Sequence, residues 1–291
     1  MKFRFWLLLL PIILLSIGCK NKPQKTIEKK PVISVSILPQ KYFLEKIAGK
    51  KFEINVLLPP GASPATFDPT PKQILQLSES GIYFLIGHLA MEENSILSRR
   101  KDLKNVRFAN VSENIDMIDS EEHDGHGHGH LIDPHTWMTP ENVKIIAKNM
   151  AVVLSEEYPE KEDFFESNLY LFEKQLDTLD AWIRLKLEHL SKHQFIIYHP
   201  ALTYYANTYG LEQIPIEYEG KEPSPAYLGQ LIQYAQQHDI RTIFIQKQFN
   251  KSEAETLGKE TDARLIEIDP LSYEWDKELE HITNALAEIL R

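Results

Sequence analysis

A long segment without glycine or proline divides this sequence into two halves. Between about Lys161 and Lys192 the apolar residues recur at helical spacing, and neither helix-breaking residue type occurs. The pattern predicts one amphipathic helix, about 45 Å long if about 30 residues are helical. A helix of that length between two similar runs of shorter elements favours a rigid connection between two lobes. The alternative is a surface helix on one large domain.

Strands and helices alternate on each side of this segment. β-Branched and aromatic runs predict strands at 33–38, 52–60, 82–87 and 106–111, and again at 194–199, 213–218, 240–246 and 263–269. Thr-Pro or Ser-Pro pairs mark helix starts at 70–71, 139–140 and 224–225, and the stretch 93–102 is also predicted to be helical. The expected fold is α/β, with two similar four-stranded parallel-sheet lobes and a cleft between them. The lobes are predicted to span 32–160 and 193–291, joined by a linking helix over 161–192.

The N-terminal residues indicate export. Lys2 and Arg4 precede a short apolar run that is interrupted by proline, which is typical of a secretory signal. The run ends at Cys19, the only cysteine of the chain. We predict a signal peptide over 1–19 with a lipidated Cys19, the alternative being an ordinary cleaved signal, and a flexible tether over 20–31. The mature protein is then expected to be extracytoplasmic, on the periplasmic side, and lipid-anchored to a membrane.

The overall composition excludes some classes of function. The formal net charge is −10, which argues against non-specific binding of nucleic acid. The sequence contains no Gly-x-Ser-x-Gly elbow, no His-Glu-x-x-His motif, no phosphate loop and no dinucleotide-binding glycine fingerprint. The chain is therefore expected to be a binding protein and not an enzyme.

Four potential metal ligands lie at or just beyond predicted strand ends: His88, His135, His199 and Asp269. Ligands of open parallel sheets bind outside the carboxyl ends of the strands, so these side chains converge if the two lobes face each other. Imidazole nitrogens with a carboxylate suit four-coordinate Zn²⁺, and Asp133 would orient the ring of His135. The alternatives are a core histidine at 199, turn residues at 135 and 269, and a surface residue at 88.

A histidine-rich tract precedes His135. Residues 121–132 read EEHDGHGHGHLI, in which His123, His126, His128 and His130 are separated mostly by glycine. A glycine-rich backbone provides no fixed coordination geometry. We expect this tract to bind Zn²⁺ weakly and variably as an accessory loop, or to be a solvated loop without a metal role.

Several motifs in a fixed order resemble those of the metal-binding lipoproteins of ABC importers for zinc and manganese. They are GASPATFDPTPKQ, the histidine-rich tract with DPHTWMTPEN, YHPALTYYANTYGL, EPSPAYLGQLI and IDPL. The resemblance covers essentially the whole mature chain. It implies two α/β lobes joined by a rigid helix, with one metal ion between them. It also implies delivery of the ion to a membrane permease that an ATPase drives, and we expect the chain to be a monomer.

The resemblance also implies the ligand set. The histidine of the DPH motif is His135, the ligand after the first strand of the second lobe is His199, and the carboxylate before Pro-Leu is Asp269. Manganese members tend to have glutamate at the second of these positions, so histidine favours Zn²⁺ over Mn²⁺. The first ligand of the family is a histidine in a GASPHTF-type motif, and this chain has Ala65 there.

The fourth coordination position is therefore open. Water or His88 is expected to fill it first, with a histidine of the tract or Asp68 as further alternatives. Other functions left open are a manganese or iron importer component and an adhesin-like surface protein. A zinc hydrolase is the least favoured, with Glu217, Glu219 or Glu222 as its general base.

Overall fold

A computed structural model describes residues 30–119, 132–217, 223–249 and 252–290. The predicted signal peptide with Cys19, most of the histidine-rich tract, and Glu219 and Glu222 lie outside the described residues. Within the described ranges, no helix is both long enough and apolar enough to cross a membrane.

The first lobe is built on a four-stranded parallel sheet. Its strands are β1 (Val32–Val35), β2 (Glu53–Val56), β3 (Ile82–Leu85) and β4 (Arg107–Asn110), in the order β2-β1-β3-β4. Helices α1 (Leu38–Ala48), α2 (Pro71–Ser78) and α3 (Pro140–Glu157) follow β1, β2 and β4. β3 is buried at every position, as expected for a central strand that helices cover on both faces.

The second lobe repeats this arrangement. Its strands are β5 (Gln194–Ile197), β6 (Glu212–Pro215), β7 (Thr242–Gln246) and β8 (Arg264–Ile268), in the order β6-β5-β7-β8. Its helices are α5 (Thr203–Tyr209), α6 (Pro225–Gln237), α7 (Ser252–Thr261) and α8 (Trp275–Ile289). In each sheet the strand order reverses between two neighbouring central strands, β1 and β3 in the first lobe and β5 and β7 in the second. Open α/β sheets bind ligands at such a switch point.

One long helix, α4 (Glu162–Leu187, 26 residues), connects the lobes. The predicted fold of two parallel-sheet lobes joined by a long helix is thus confirmed. The helix ends five residues before the predicted boundary at Lys192. There the chain turns, and the backbone N–H groups of Ser191 and Lys192 both donate to the carbonyl of Leu290 at the end of α8, at 2.8 and 3.0 Å.

A single hydrophobic core runs through both lobes. It includes Phe84 of the first sheet, Phe172 of α4, Phe244 of the second sheet and Trp275 of α8. Phe43 of α1 and Trp275 meet edge to face, with ring centroids 5.1 Å apart. A second, smaller cluster lies on the other face of the second sheet, under α6 and α7. Because the larger core crosses the lobe boundary, the two lobes are packed as one body.

The predicted helix starts are confirmed. The hydroxyls of Thr70, Thr139 and Ser224 accept hydrogen bonds from the backbone N–H three residues later, and a proline follows each of them. Gly210 ends α5 with a φ of 68°, a left-handed conformation that glycine adopts without strain.

The predicted helix over 93–102 was wrong in type. The chain forms a π-helical turn at Glu92–Ile96 and a 3₁₀ turn at Leu97–Arg99. The hydroxyl of Ser98 donates to the carbonyls of Asn94 and Ser95, at 2.9 and 3.3 Å. Hydrogen bonds of this kind offer the backbone an alternative to a regular helical ladder.

Candidate metal site

Two histidines from different lobes meet in the cleft. The ring centroids of His135 and His199 lie 5.1 Å apart, with the ring planes at 70°. His199 comes just after β5, at the switch point of the second sheet. His135 lies between β4 and α3, directly before a 3₁₀ turn at Thr136–Met138. The sequence prediction that these two residues converge is confirmed.

Asp133 fixes the position of His135. Its Oδ1 accepts hydrogen bonds from the backbone N–H and from the ring Nδ1 of His135, each at 2.7 Å. Its Oδ2 accepts from the hydroxyl of Thr203 in the second lobe, at 2.5 Å. Burial raises the pKa of the Asp133 carboxyl, but His135 and Thr203 outweigh that effect and hold the pKa below its usual range. The ionised carboxylate thus both shapes the turn and orients the ring.

Three side chains hold His199. Its ring Nδ1 lies 2.9 Å from Oε2 of Glu217, a buried carboxylate. The side-chain amide of Gln246 accepts from the backbone N–H of His199 at 3.2 Å and donates to its carbonyl at 2.6 Å. The ring of Phe249 stacks on the imidazole, with centroids 5.0 Å apart. Backbone, ring edge and ring face of His199 are therefore all fixed.

These contacts select the ring tautomer. A carboxylate bound to Nδ1 places the proton on that nitrogen, so that Nε2 carries the lone pair that binds a metal ion. Both His135 and His199 are prepared in this way, one from each lobe. Imidazole nitrogens of this kind suit Zn²⁺.

Hydrogen bonds across the lobe boundary surround the site. The indole N–H of Trp137 donates to the carbonyl of Pro270 at 2.8 Å, and that of Trp275 donates to the carbonyl of Trp137 at 2.9 Å. The hydroxyl of Tyr204 donates to the carbonyl of Asp133 at 3.0 Å. With the hydrogen bond from Thr203 to Asp133, four hydrogen bonds attach the segment that carries His135 to the second lobe.

A cavity of about 170 Å³ adjoins the two histidines. Most of the residues in its wall are apolar, and its polar side chains are one serine, three histidines and two glutamines. The lining residues are Ser63, Pro64, Ala65, His88, Leu89, Ala90, Pro134, His135, Trp137, His199, Ala201, Gln246, Gln248, Phe249, Pro270 and Leu271.

Ala65, which stands where the resemblance implies a histidine, and His88, an alternative ligand, both line this cavity. His88 is exposed and lies in a left-handed turn, with a φ of 61°. Such a conformation is uncommon outside glycine and is frequent at functional sites. The buried carboxylate of Glu92 supports this turn by accepting from the backbone N–H groups of Ile86 and Gly87, each at 2.8 Å.

Asp269 lies beside the cavity. Its side chain lines a neighbouring cleft of about 50 Å³ with Gln248 and the loop around Gly61. Oδ1 accepts from the side-chain amide of Gln248 at 3.2 Å, and Oδ2 lies 4.0 Å from Nζ of Lys247. In the described part of the chain, no three His, Cys, Asp or Glu side chains come together as a metal-binding group. Asp269 as a third ligand stays a prediction.

Asp68 lies apart from the histidine pair. It is exposed, and its carboxylate is 3.8 Å from the guanidinium of Arg99. Its side chain does not line the cavity. Its role as an alternative ligand remains a prediction, as does the accessory role of His123, His126, His128 and His130, which lie outside the described residues.

Sequence reasoning did not identify all of the supporting residues. Glu217 was considered only as a general base, and Gln246 and Phe249 were given no role. Their positions could have identified them, because Gln246 ends a strand of the second sheet, and Glu217 and Phe249 each follow one. The carboxyl ends of β5, β6 and β7 meet at one edge, so polar residues there are candidates even when they are not metal-ligand types.

Comparisons with known proteins agree with this geometry. The family model described as zinc-uptake complex component A, periplasmic, matches residues 33–289. The high-affinity zinc uptake system protein ZnuA of Bacillus subtilis (strain 168) is 28% identical over 243 residues, which cover 80% of this chain and 76% of that protein. The zinc-binding lipoprotein AdcA of Streptococcus pneumoniae (strain ATCC BAA-255 / R6) is 26% identical over 264 residues, covering 88% of this chain. The chain spans about half the length of AdcA, of which 52% is matched.

Solved structures share the whole fold. A crystal structure of ZnuA superposes with a TM-score of 0.86 and 34% identity, covering 90% of this chain and all of the other. A zinc-bound deletion mutant of ZnuA superposes with a TM-score of 0.82 and 34% identity, covering 90% of this chain and 98% of the other. The family model matches most of the chain and the solved structures share its fold, so the chain belongs to the family of periplasmic component A proteins of zinc-uptake complexes.

Proposed function

We propose that this chain captures Zn²⁺ outside the cytoplasm and delivers it to the permease of an ABC importer, which an ATPase drives. Related proteins of this family carry names that refer to zinc uptake and zinc binding. The chain acts as a binding protein and catalyses no reaction. It works as a monomer, since one chain supplies ligands from both sides of the cleft.

One observation carries this proposal. His135 and His199 come from different lobes, and a buried carboxylate holds Nδ1 of each ring. A carboxylate on Nδ1 of each ring leaves the Nε2 lone pair available to a metal ion. Two preoriented imidazoles at the mouth of a cavity form the start of a zinc site.

The donor types favour Zn²⁺ over Mn²⁺ or iron. Mn²⁺ prefers carboxylate, carbonyl and water oxygens, whereas imidazole suits zinc. Both preoriented donors here are imidazoles, and the two carboxylates beside them are engaged with the Nδ1 atoms. Asp269 completes the ligand set when its side chain turns from Gln248 toward the cavity, and His88 or water takes the remaining position.

The geometry gives little support to a zinc hydrolase. Such an enzyme needs a general base beside a metal-bound water. Glu217, the one candidate base within the described residues, is hydrogen-bonded to His199 and so acts as its orienting partner.

The remaining parts of the proposal concern the N-terminus and the tract. Cys19 carries a lipid that anchors the mature chain to a membrane on the periplasmic side. The histidines at 123, 126, 128 and 130 collect metal weakly without forming the tight site.

Calorimetric titration of the chain from residue 20 with Zn²⁺ tests the function. We expect one tight site, which His135→Ala and His199→Ala each abolish, while circular dichroism shows that both variants fold. His189→Ala is the matched control, because that side chain is 87% exposed and its ring lies away from the cavity. Tight binding retained in both cleft variants would disprove the assignment of the site.

A further inference from the structure

The cavity beside the histidine pair has unused space on one side. It measures about 170 Å³, whereas a water molecule occupies about 30 Å³ in the liquid. A zinc ion bound to imidazole at about 2.0–2.1 Å with one water fills only part of this volume. The inference that follows rests on the proposed capture of zinc.

Part of the cavity wall has no metal-binding group. Ala65, Leu89 and Ala90 form part of it, and none of their side chains binds a metal ion. Gln246 is already engaged at both backbone groups of His199. Within the described residues, the only other imidazole that lines the cavity is the exposed ring of His88. The protein thus offers two preoriented nitrogens and leaves an apolar recess beside them.

The recess suits a flat ring better than water. The ring of Phe249 stacks on His199 at 5.0 Å, and the ring of Trp137 lies 5.2 Å from His135 at 54°. Pro64, Leu89 and Leu271 add aliphatic surface. Walls of this composition favour an apolar, planar guest, and aromatic rings gain further from edge-to-face and offset contacts.

We propose that the cleft binds zinc together with a small external nitrogen donor of the imidazole class, such as free histidine. The donor ring lies in the recess beside Ala65, and its nitrogen takes the fourth coordination position in place of water or His88. The cargo is then a mixed complex in which His135 and His199 supply the protein nitrogens. No covalent bond changes, and the donor leaves with the metal.

Cobalt spectroscopy tests this inference directly. The chain from residue 20, loaded with one equivalent of Co²⁺, is titrated with imidazole and, separately, with free histidine at concentrations that do not strip the metal. We expect the visible d–d absorption to change and to saturate at one donor per protein. We also expect zinc affinity, corrected for zinc–donor complexes in solution, to rise by about tenfold.

Two variants at one position provide the controls. Ala65→His supplies the missing ring from the chain, so it should bind zinc more tightly and respond to neither donor. Ala65→Val narrows the recess without donating, so it should weaken the response and gain no affinity. Residue 65 is exposed in a loop, which makes both substitutions compatible with the fold.

The outcomes separate the two proposals. A parent chain that binds zinc tightly, with a cobalt spectrum that neither donor changes, overturns the mixed complex and leaves zinc capture standing. A parent chain and an Ala65→His variant that both fail to bind zinc overturn zinc capture itself. A donor response that persists undiminished in Ala65→Val also overturns the assignment of the recess.

Discussion

The indole N–H of Trp137 donates a hydrogen bond to the carbonyl of Pro270 across the boundary between the lobes, at 2.8 Å. Trp137 is fully buried and lies two residues after His135, while Pro270 follows Asp269 directly. The bond therefore connects the two motifs that flank the cleft. The geometry of the metal site and the packing between the lobes therefore both depend on the side chain of Trp137.

Replacing Trp137 by Phe should destabilise the protein by about 1–3 kcal/mol, because the buried carbonyl of Pro270 loses its donor. Urea denaturation followed by circular dichroism measures this loss. Trp182→Phe is the control, since that ring is only partly buried on α4. Equal losses of unfolding free energy in the two variants would show that the hydrogen bond from Trp137 to Pro270 makes no specific contribution to stability.

Asp133 and Glu217 should both support zinc binding, but only Asp133 should also stabilise the fold. Asp133→Asn and Glu217→Gln should each weaken zinc binding by about 10–100-fold, because the ring of the bound histidine loses its fixed tautomer. Only Asp133→Asn should also lower the melting temperature clearly, since Asp133 accepts from Thr203 in the other lobe. Calorimetric titration and thermal melts measure the two effects. Glu212→Gln, an exposed position on β6, should change neither quantity.

Glu92 should make stability depend on pH. Burial raises the pKa of its carboxyl to about 7, against the opposing effect of hydrogen bonds from Ser36, Ile86 and Gly87. Because this folded-state pKa exceeds the unfolded value of about 4.3, the contribution to stability is present at low pH and is lost as pH rises through 7. Between pH 5 and pH 8 the loss amounts to about 2–3 kcal/mol.

Glu92→Gln should remove that dependence, because the amide stays neutral. The free energy of unfolding, measured in urea at pH 5 and pH 8, should fall more steeply in the parent than in this variant. Tyr83, which shares a hydrogen bond with Ser36, is a further titratable group beside Glu92, and it stays protonated throughout this range because burial raises its pKa. Glu93→Gln, a change at the exposed neighbouring residue, should show the same pH dependence of unfolding free energy as the parent. The same pH dependence in the parent and in both variants would contradict the assignment to Glu92.

Deletion of residues 123–130 should reduce the number of weakly bound zinc ions and leave one tight site. The flanking residues Asp119 and Ile132 form an antiparallel bridge, so their chain ends are already adjacent and a short connection can join them. Zinc titration with equilibrium dialysis counts both classes of site. Replacing the four histidines by glutamine at unchanged length is the control, and loss of the tight site in either variant would place the tract inside it.

The sequence was informative wherever a signal was local. The absence of glycine and proline over 161–192 predicted α4, and the Thr-Pro and Ser-Pro pairs predicted three helix starts. The convergence of His135 and His199 was predictable only on the condition that the two lobes face each other, because the strand-end rule places each residue at the edge of its own sheet. Each of these conclusions needs only periodicity, capping chemistry or topology.

The remaining features depend on contacts between distant segments. The side chain of Gln246 forms hydrogen bonds with the backbone of His199, 47 positions away, and neither residue type predicts this contact. The side chain of Asp269 is turned toward Gln248 and Lys247, although its place at the end of β8 was expected to bring it to the histidines. Side-chain direction at a strand end is set by neighbours that sequence spacing does not identify.

The core that crosses the lobe boundary has a consequence for how such proteins diversify. The contact between the lobes is part of the hydrophobic core. In a hybrid made from the lobes of two relatives, the core residues of one lobe would therefore have to fit those of the other. Exchange by recombination is thus favoured for the whole two-lobed body, or for a segment whose ends meet, as Asp119 and Ile132 do. Changes in metal preference should then arise through point substitutions in the cleft wall, where Ala65 and His88 lie.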